Sequence, residues 1–336
     1  MSKNSSAYKR AGVDLAASDQ TLGLIKDAVK RTYTPNVLAG LGAFGGLFDA
    51  GDLKRLNQPV LVASTDGVGT KTKVASALGK TRGLGFDIVH HCVNDILVQG
   101  ATPLFFLDYV AAAKLEPTLI ADLITGIAEA CESLGIPLLG GETAEMPGVY
   151  AEGEFDLVGT IIGLVDRDKI IDGSTIQPGD KLLALMSGGL QTNGFSLARR
   201  ALAGKLYEPF EESTVGETLL TPHRSYLETV APLLERGLVR GMAHVTGGGL
   251  PGNLPRVLPD GLGVQIERNT WDVPEIFKFI QKEGGVSEAE MFEVFNMGVG
   301  FVLVVSPEVA EEVQHLAAEP LYLIGEIVEG RGVEVQ

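Results

Sequence analysis

Apolar positions recur along this chain in two rhythms. Leu22, Ile25 and Val29 share one face at helical spacing, Asp19 stands where a cap belongs and Pro35 halts the pattern, so a first helix is expected over 19–33. The run Pro59-Val60-Leu61-Val62-Ala63-Ser64-Thr65 is short and β-branched and leads into Asp66-Gly67, which predicts a buried strand ending in a turn, with a helix over 72–78 behind it. Ile88, Val89, Cys92, Val93, Ile96 and Leu97 return to helical spacing over 85–99, and 103–110 reads as a continuous buried strand. Pro117 opens another helix, with Ile124, Ile127, Cys131 and Leu134 on one face and Gly135 closing it, before a strand at 136–139. Helix alternating with strand in this way predicts an α/β domain.

The charged segment 166–180, with Gly173, Pro178 and Gly179, separates apolar strands at 157–165 and 182–186 and sets a domain boundary near residue 170. Beyond it come a glycine turn at 187–194, a helix over 195–202, a glycine run at 247–249 and strands at 263–266 and 299–305, again α/β. Two α/β domains are therefore expected, 1–170 and 171–336, in line with a prior of roughly 150 residues per domain. No fixed-period repeat interrupts them.

Composition narrows the function classes. The formal net charge of −16 argues against a broad electrostatic footprint for nucleic acid or an anionic membrane, so a phosphorylated ligand has to be neutralised locally. The longest apolar runs, 157–165 and 297–305, are far short of the ~20 residues a membrane helix needs. The opening MSKNSSAYKR lacks the apolar core of a secretory signal, and Cys92 and Cys131 make neither a disulfide framework nor a metal spacing. A cytoplasmic location is expected.

Glycine accounts for 43 of the residues, and several of its clusters invite a chemical reading. Gly40-Leu41-Gly42-Ala43-Phe44-Gly45 fits the dinucleotide fingerprint in letters, but it follows a helix and opens none, so the segment through Gly46 is expected to be a mobile flap instead. Asp66-Gly67-Val68-Gly69-Thr70-Lys71-Thr72 joins a strand to a helix. Backbone amides at a helix start, two glycines and a lysine make an anion cradle there, and a plain strand–helix junction is the equal alternative. Asp66, Asp95 beside Asn94, and Glu142 after Gly140-Gly141 are hard oxygen donors of the kind Mg²⁺ takes with a nucleotide, each alone being more commonly a solvated acid. His90-His91-Cys92 is not a metal motif, since neighbours on a helix do not face each other. In His244-Val245-Thr246-Gly247-Gly248-Gly249 a histidine and a hydroxyl precede a glycine run, which presents donors to a ligand or simply turns the chain.

Taken in order, these stretches, with Tyr8-Lys9-Arg10-Ala11-Gly12-Val13-Asp14, Gln99-Gly100-Ala101, Pro103-Leu104-Phe105-Phe106-Leu107-Asp108-Tyr109, Ile170-Ile171-Asp172-Gly173-Ser174 and Asn296-Met297-Gly298-Val299-Gly300, resemble the phosphoribosylformylglycinamidine cyclo-ligase (aminoimidazole ribonucleotide synthetase) family over almost the whole chain. The resemblance implies ATP-dependent closure of formylglycinamidine ribonucleotide to aminoimidazole ribonucleotide in purine biosynthesis, by phosphorylation of the formamide oxygen, with release of ADP and phosphate. It implies an amino-terminal mixed sheet that pairs across a homodimer axis and a carboxy-terminal α/β sandwich. It also assigns residues: Asp66, Asp95 and Glu142 to Mg²⁺; Lys26, Gly45, Gly46, Asp66, Gly67, Gly69, Thr70, Lys71 and Asn94 to ATP; His244, Thr246 and Gly247 to the ribonucleotide. Lys71, Glu142, His244 and Gln191 are the expected catalytic set.

Gln191 is a departure, because many relatives carry histidine there. Glutamine donates and accepts hydrogen bonds but cannot shuttle a proton near neutral pH, so Gln191 is expected to polarise or orient the formamide. Related ATP-using enzymes stand as rivals: the formylglycinamidine ribonucleotide synthetase large subunit, thiamine monophosphate kinase, selenophosphate synthetase and a hydrogenase maturation factor. The last two are weakened by missing terminal cysteines. A non-catalytic nucleotide-binding subunit is the rival of a different class.

Overall fold

The computed structural model describes residues 15–336, so the 8–14 stretch lies outside the described residues. The chain divides into two compact units, one made of residues to Cys92 with Pro103–Leu164, the other of Val93–Thr102 with Val165–Gln336. The main break thus falls between Leu164 and Val165, and ten residues that precede it in sequence cluster with the second unit, which no single cut near 170 describes.

In the first unit, helix α1 (Leu15–Arg31) starts earlier than its expected Asp19 cap. Ile25, Ala28 and Val29 are buried on the side that packs on α4, while Lys30 and Arg31 in the last turn complement the helix dipole. A two-stranded ribbon follows, β1 (Val37–Ala39) antiparallel to β2 (Leu47–Phe48), carrying the glycine-rich segment at its tip. Strand β3 (Pro59–Gly67) leads to α2 (Lys71–Leu78), then α3 (Gly83–Leu97), β4 (Thr102–Ala112), α4 (Pro117–Ser133), β5 (Leu138–Glu145) and β6 (Phe155–Asp166). The sheet order is β3-β6-β4-β5, with β4 and β5 parallel on either side of the α4 crossover.

The β-branched run 59–65 does not form a buried central strand. It lies at the edge of the sheet with alternate residues open to solvent, Leu61 being 62% exposed. Strand β5 is the opposite edge.

In the second unit, β8 (Pro209–Phe210) and β9 (Ser213–Thr214) form a short antiparallel ribbon, and a six-stranded sheet runs β10 (Gly241–His244), β12 (Val299–Val305), β7 (Lys181–Met186), β13 (Tyr322–Glu329), β11 (Leu262–Ile266) and β14 (Gly332–Val335). Its pairs are antiparallel except β11 with β14, so this sheet is built differently from a chain of parallel crossovers. Strand β12 is buried along its whole length, as its uninterrupted apolar sequence requires. Leu183, Leu185, Leu303 and Val305 pack with Val230, Leu233 and Val313 in one core, and Leu97 from the end of α3 joins it. That contact explains why 93–102 clusters here.

Candidate functional site

The 66–72 junction has the strand-to-helix form expected of it. Val68 N donates to Leu157 O at 3.0 Å, the Thr72 hydroxyl donates to Gly69 O at 3.0 Å, and Gly69 takes the left-handed conformation at φ +65°. Gly69 and Thr70 are exposed, Asp66 and Gly67 half-buried. The Asp66 carboxylate is already engaged: Oδ1 accepts from Gly67 N at 2.6 Å, and Oδ2 lies 2.9 Å from His91 Nε2.

Lys71 corrects the expectation of a phosphate-facing lysine. It is 0% exposed, its Nζ donating to Asp87 Oδ1 of α3 at 2.8 Å with Asp87 equally buried. Burial pulls the ammonium below its ordinary value, while Asp87 acts in the opposite direction. A lysine at the first position of a helix sits by the positive end of the dipole, which makes a buried counter-charge more necessary. In this arrangement Lys71 anchors the loop from beneath.

Lys26 is exposed on α1. At the ribbon tip Gly45 is exposed with open space around it, whereas a Cβ on Gly46 would lie 2.4 Å from the Leu139 side chain, so Gly46 is a packing glycine against β5.

Glu142 is exposed on β5. Asp66 and Glu142 therefore stand on opposite edge strands with two strands between them, three spacings of ~4.8 Å or about 14 Å across a flat sheet. Mg²⁺ holds its oxygens at about 2.0–2.1 Å, so one ion cannot be bound by both from one such sheet edge to the other. The donor types fit magnesium; their placement within this unit keeps these two apart. Beside Glu142 lies an acid that the sequence reading did not single out. Asp108 on β4 pairs with Gly141 on β5, and a Cβ on Gly141 would come within 2.2 Å of Asp108 Oδ1, which accounts for glycine there. Asp108 lines a cavity of about 200 Å³ with Ile25, Ile124, Leu138 and Glu142. Burial, with the Glu142 charge adding to it, pushes the Asp108 carboxyl up to about 7.

In the second unit, Asn94 is wholly buried and clamps a loop: Nδ2 donates to Arg224 O at 2.8 Å and Oδ1 accepts from Tyr226 N at 3.1 Å. Both polar atoms of the side chain are thus used to hold the 224–226 backbone. Asp95, one residue on, has Oδ1 2.8 Å from His244 Nδ1, and His244 Nε2 lies 3.0 Å from His223 Nε2. Thr246 and Gly247 follow His244 in a turn organised by Asn253, whose Nδ2 donates to the carbonyls of Thr246, Gly247 and Gly249 at 3.3, 3.2 and 2.8 Å.

Gln191 adopts φ +62° and is 2% exposed, with Nε2 donating to Tyr226 Oη at 2.7 Å. Its amide braces Tyr226, whose hydroxyl burial raises well above the ordinary tyrosine value. The Nε2 donor is thus engaged by Tyr226, within the protein. The surrounding turn is pinned by Asn296, which donates to the carbonyls of Gly189 and Leu190 and accepts from Ser187 Oγ. His223, Asp87, Asp108 and Asn253 carried no motif. Asp87, Asp108 and Asn253 are marked only by their isolation as polar residues in apolar or glycine-rich surroundings, and His223, between Pro222 and Arg224, has no such signal.

Comparison with known proteins agrees with this layout. Residues 49–165 match the AIR synthase related protein N-terminal domain, and residues 177–336 match its C-terminal domain. The chain is 52% identical over 327 residues to the phosphoribosylformylglycinamidine cyclo-ligase of Desulfitobacterium hafniense (strain DSM 10664 / DCB-2), covering 96% of each. It is 51% identical over 337 residues to that of Geobacillus thermodenitrificans (strain NG80-2), covering 97% of each. Among solved structures, a thiamine-monophosphate kinase from Stenotrophomonas maltophilia K279a shares the fold, with TM-score 0.68 and 18% identity over 93% of this chain and 96% of that one. With both halves matched in order and near-full-length relatives at about half identity, the chain belongs to the AIR synthase related protein family.

Proposed function

We propose that this chain catalyses the ATP-dependent closure of formylglycinamidine ribonucleotide to aminoimidazole ribonucleotide in purine biosynthesis, releasing ADP and phosphate. The observation that carries this is the identity to curated cyclo-ligases along almost the entire chain. The chemistry demands activation, because an amide oxygen is a poor leaving group. The formamide oxygen takes the γ-phosphoryl, forming an O–P bond as the bond to ADP breaks. The amidine nitrogen then attacks the formyl carbon, and phosphate leaves with that oxygen as a proton is lost from nitrogen. Catalysis of this kind is mainly positioning and charge neutralisation.

The exposed Gly69 and Thr70, with Asp66 and Gly67, form the proposed triphosphate loop, anchored by Lys71 and served by Lys26 and Gly45. Asp66, Asp95 and Glu142 are the carboxylates proposed for Mg²⁺, which when bound neutralises the triphosphate. His244, Thr246 and Gly247 are proposed to face the ribonucleotide. A homodimer is part of this proposal, supported by the two open edges of the first unit: a second copy whose β5 paired with β3 would bring its Glu142 toward Asp66, the approach that one sheet denies. A cytoplasmic enzyme is the matching location; among the described residues no helix is long and apolar enough to cross a membrane. Purified protein given ATP, Mg²⁺ and formylglycinamidine ribonucleotide is expected to yield aminoimidazole ribonucleotide and ADP in equal amounts. Nucleotide binding with no ring-closed product would favour a regulatory subunit.

A further inference from the structure

Four side chains of the second unit form one hydrogen-bonded file. Asp95 Oδ1 lies 2.8 Å from His244 Nδ1, His244 Nε2 lies 3.0 Å from His223 Nε2, and His223 Nδ1 lies 3.2 Å from Thr192 Oγ1. His223, His244 and Thr192 are buried, and the two rings are tilted at 60° with centroids 5.0 Å apart, so they meet through their nitrogens and are not stacked. The direction of the bonds follows from the acid. An ionised carboxylate only accepts, so His244 Nδ1 carries the hydrogen, and in the neutral ring Nε2 then accepts. With His244 neutral, His223 donates from Nε2, which leaves its Nδ1 to accept from the Thr192 hydroxyl. The file is thus polarised in one sense from the turn at 187–194 to Asp95.

We propose that His223 is a positioning residue for the ring closure, acting through His244. Asp95 alone holds only one nitrogen of the His244 ring. The His223 donor fixes the other and ties that ring to Thr192. Gln191, next to Thr192, does not fill this role, since its amide donates to Tyr226. The inference rests on the proposed substrate-facing role of His244 and adds a residue that the expected site did not include.

The test is steady-state kinetics on the full-length enzyme with His223→Ala, His223→Gln, His223→Asn, His244→Ala and the double His223→Ala/His244→Ala, each checked by thermal unfolding. A glutamine amide reaches the place of Nε2 and can still donate to His244, whereas an asparagine amide reaches only the place of Nδ1 and serves Thr192. His223→Ala should lower kcat about 10–100-fold, the range seen when a group orienting a functional histidine is removed, with KM little changed. His223→Gln should restore most of the rate and His223→Asn should not. The double variant should be no slower than His244→Ala. The ¹⁵N NMR shifts of the His244 ring should move in His223→Ala and return in His223→Gln. Rescue by Asn and not by Gln, or additive losses beside a slow His244→Ala, would overturn this proposal while leaving the site assignment standing. A His244→Ala enzyme with the parent rate would overturn the substrate-facing role itself, and this proposal with it.

Discussion

Removing either partner of the Lys71–Asp87 pair should unfold the first unit more readily than it slows catalysis. Both groups are wholly buried, with Nζ and Oδ1 2.8 Å apart. Asp87→Leu leaves the buried Lys71 ammonium without this counter-charge, and Lys71→Met does the same to the Asp87 carboxylate. Breaking a buried pair from one side costs about 3–5 kcal/mol, because the charge that stays behind loses its counter-charge without gaining water. At about 2–4 °C per kcal/mol for a body of this size, the midpoint of thermal unfolding should drop by about 6–20 °C in either single variant. The double variant Lys71→Met/Asp87→Leu replaces both charges by apolar groups and should recover most of that loss. Circular dichroism melts of the three variants and the parent measure this, with the KM for ATP measured below the lowest midpoint. Single variants that melt with the parent while KM for ATP climbs tenfold would show that Lys71 reaches phosphate and that the buried-anchor reasoning is wrong.

Asp108 holds its proton to about pH 7 in the folded chain against an ordinary value of 3.8, so the folded form binds more protons than the unfolded one between these values and stability should fall as pH rises through them. The shift corresponds to at most about 4 kcal/mol. Urea unfolding should show Asp108→Asn flattening that dependence and exceeding the parent in stability at pH 8; identical slopes would remove Asp108 as the cause. Asp66→Asn and Glu142→Gln should each be nearly inactive alone, and hybrids refolded from a mixture should regain activity if the two acids meet across subunits. A mixture as inactive as its components would count against the shared site. Gln191→Leu should cost about 1–3 kcal/mol by leaving the buried Tyr226 hydroxyl without that donor, with turnover reduced less than tenfold. A rate loss of several orders of magnitude at unchanged stability would return Gln191 to the formamide.

Some of this was legible in the sequence because the signal was local. Pro117 at a helix start and the unbroken apolar run of β12 each determine their own surroundings, and α4 and β12 begin where those residues place them. The start of α1 was misread because an aspartate that can cap can also sit on the open face of a helix already under way, as Asp19 does. The 59–65 run looked buried because β-branching reports strand preference and says nothing of how many neighbours a strand has. The site divides along the same line. Gly67, Gly69 and Thr70 form the expected junction because backbone conformation is written locally. Lys71, Asn94 and Gln191 were expected to face ligands, yet their partners Asp87, Arg224 with Tyr226, and Tyr226 lie at 16, about 130 and 35 residues' separation. His223 stayed hidden for the same reason, since its meaning comes from His244 and Thr192.

The most direct measurement follows the formamide oxygen. Substrate carrying ¹⁸O at that position is turned over with ATP and Mg²⁺, and the inorganic phosphate is examined by mass spectrometry. Transfer of the γ-phosphoryl to that oxygen predicts one ¹⁸O in each phosphate released, in step with the aminoimidazole product. Unlabelled phosphate alongside ring-closed product would mean that ATP activates some other atom, and the account of what this chain does to its substrate would be wrong.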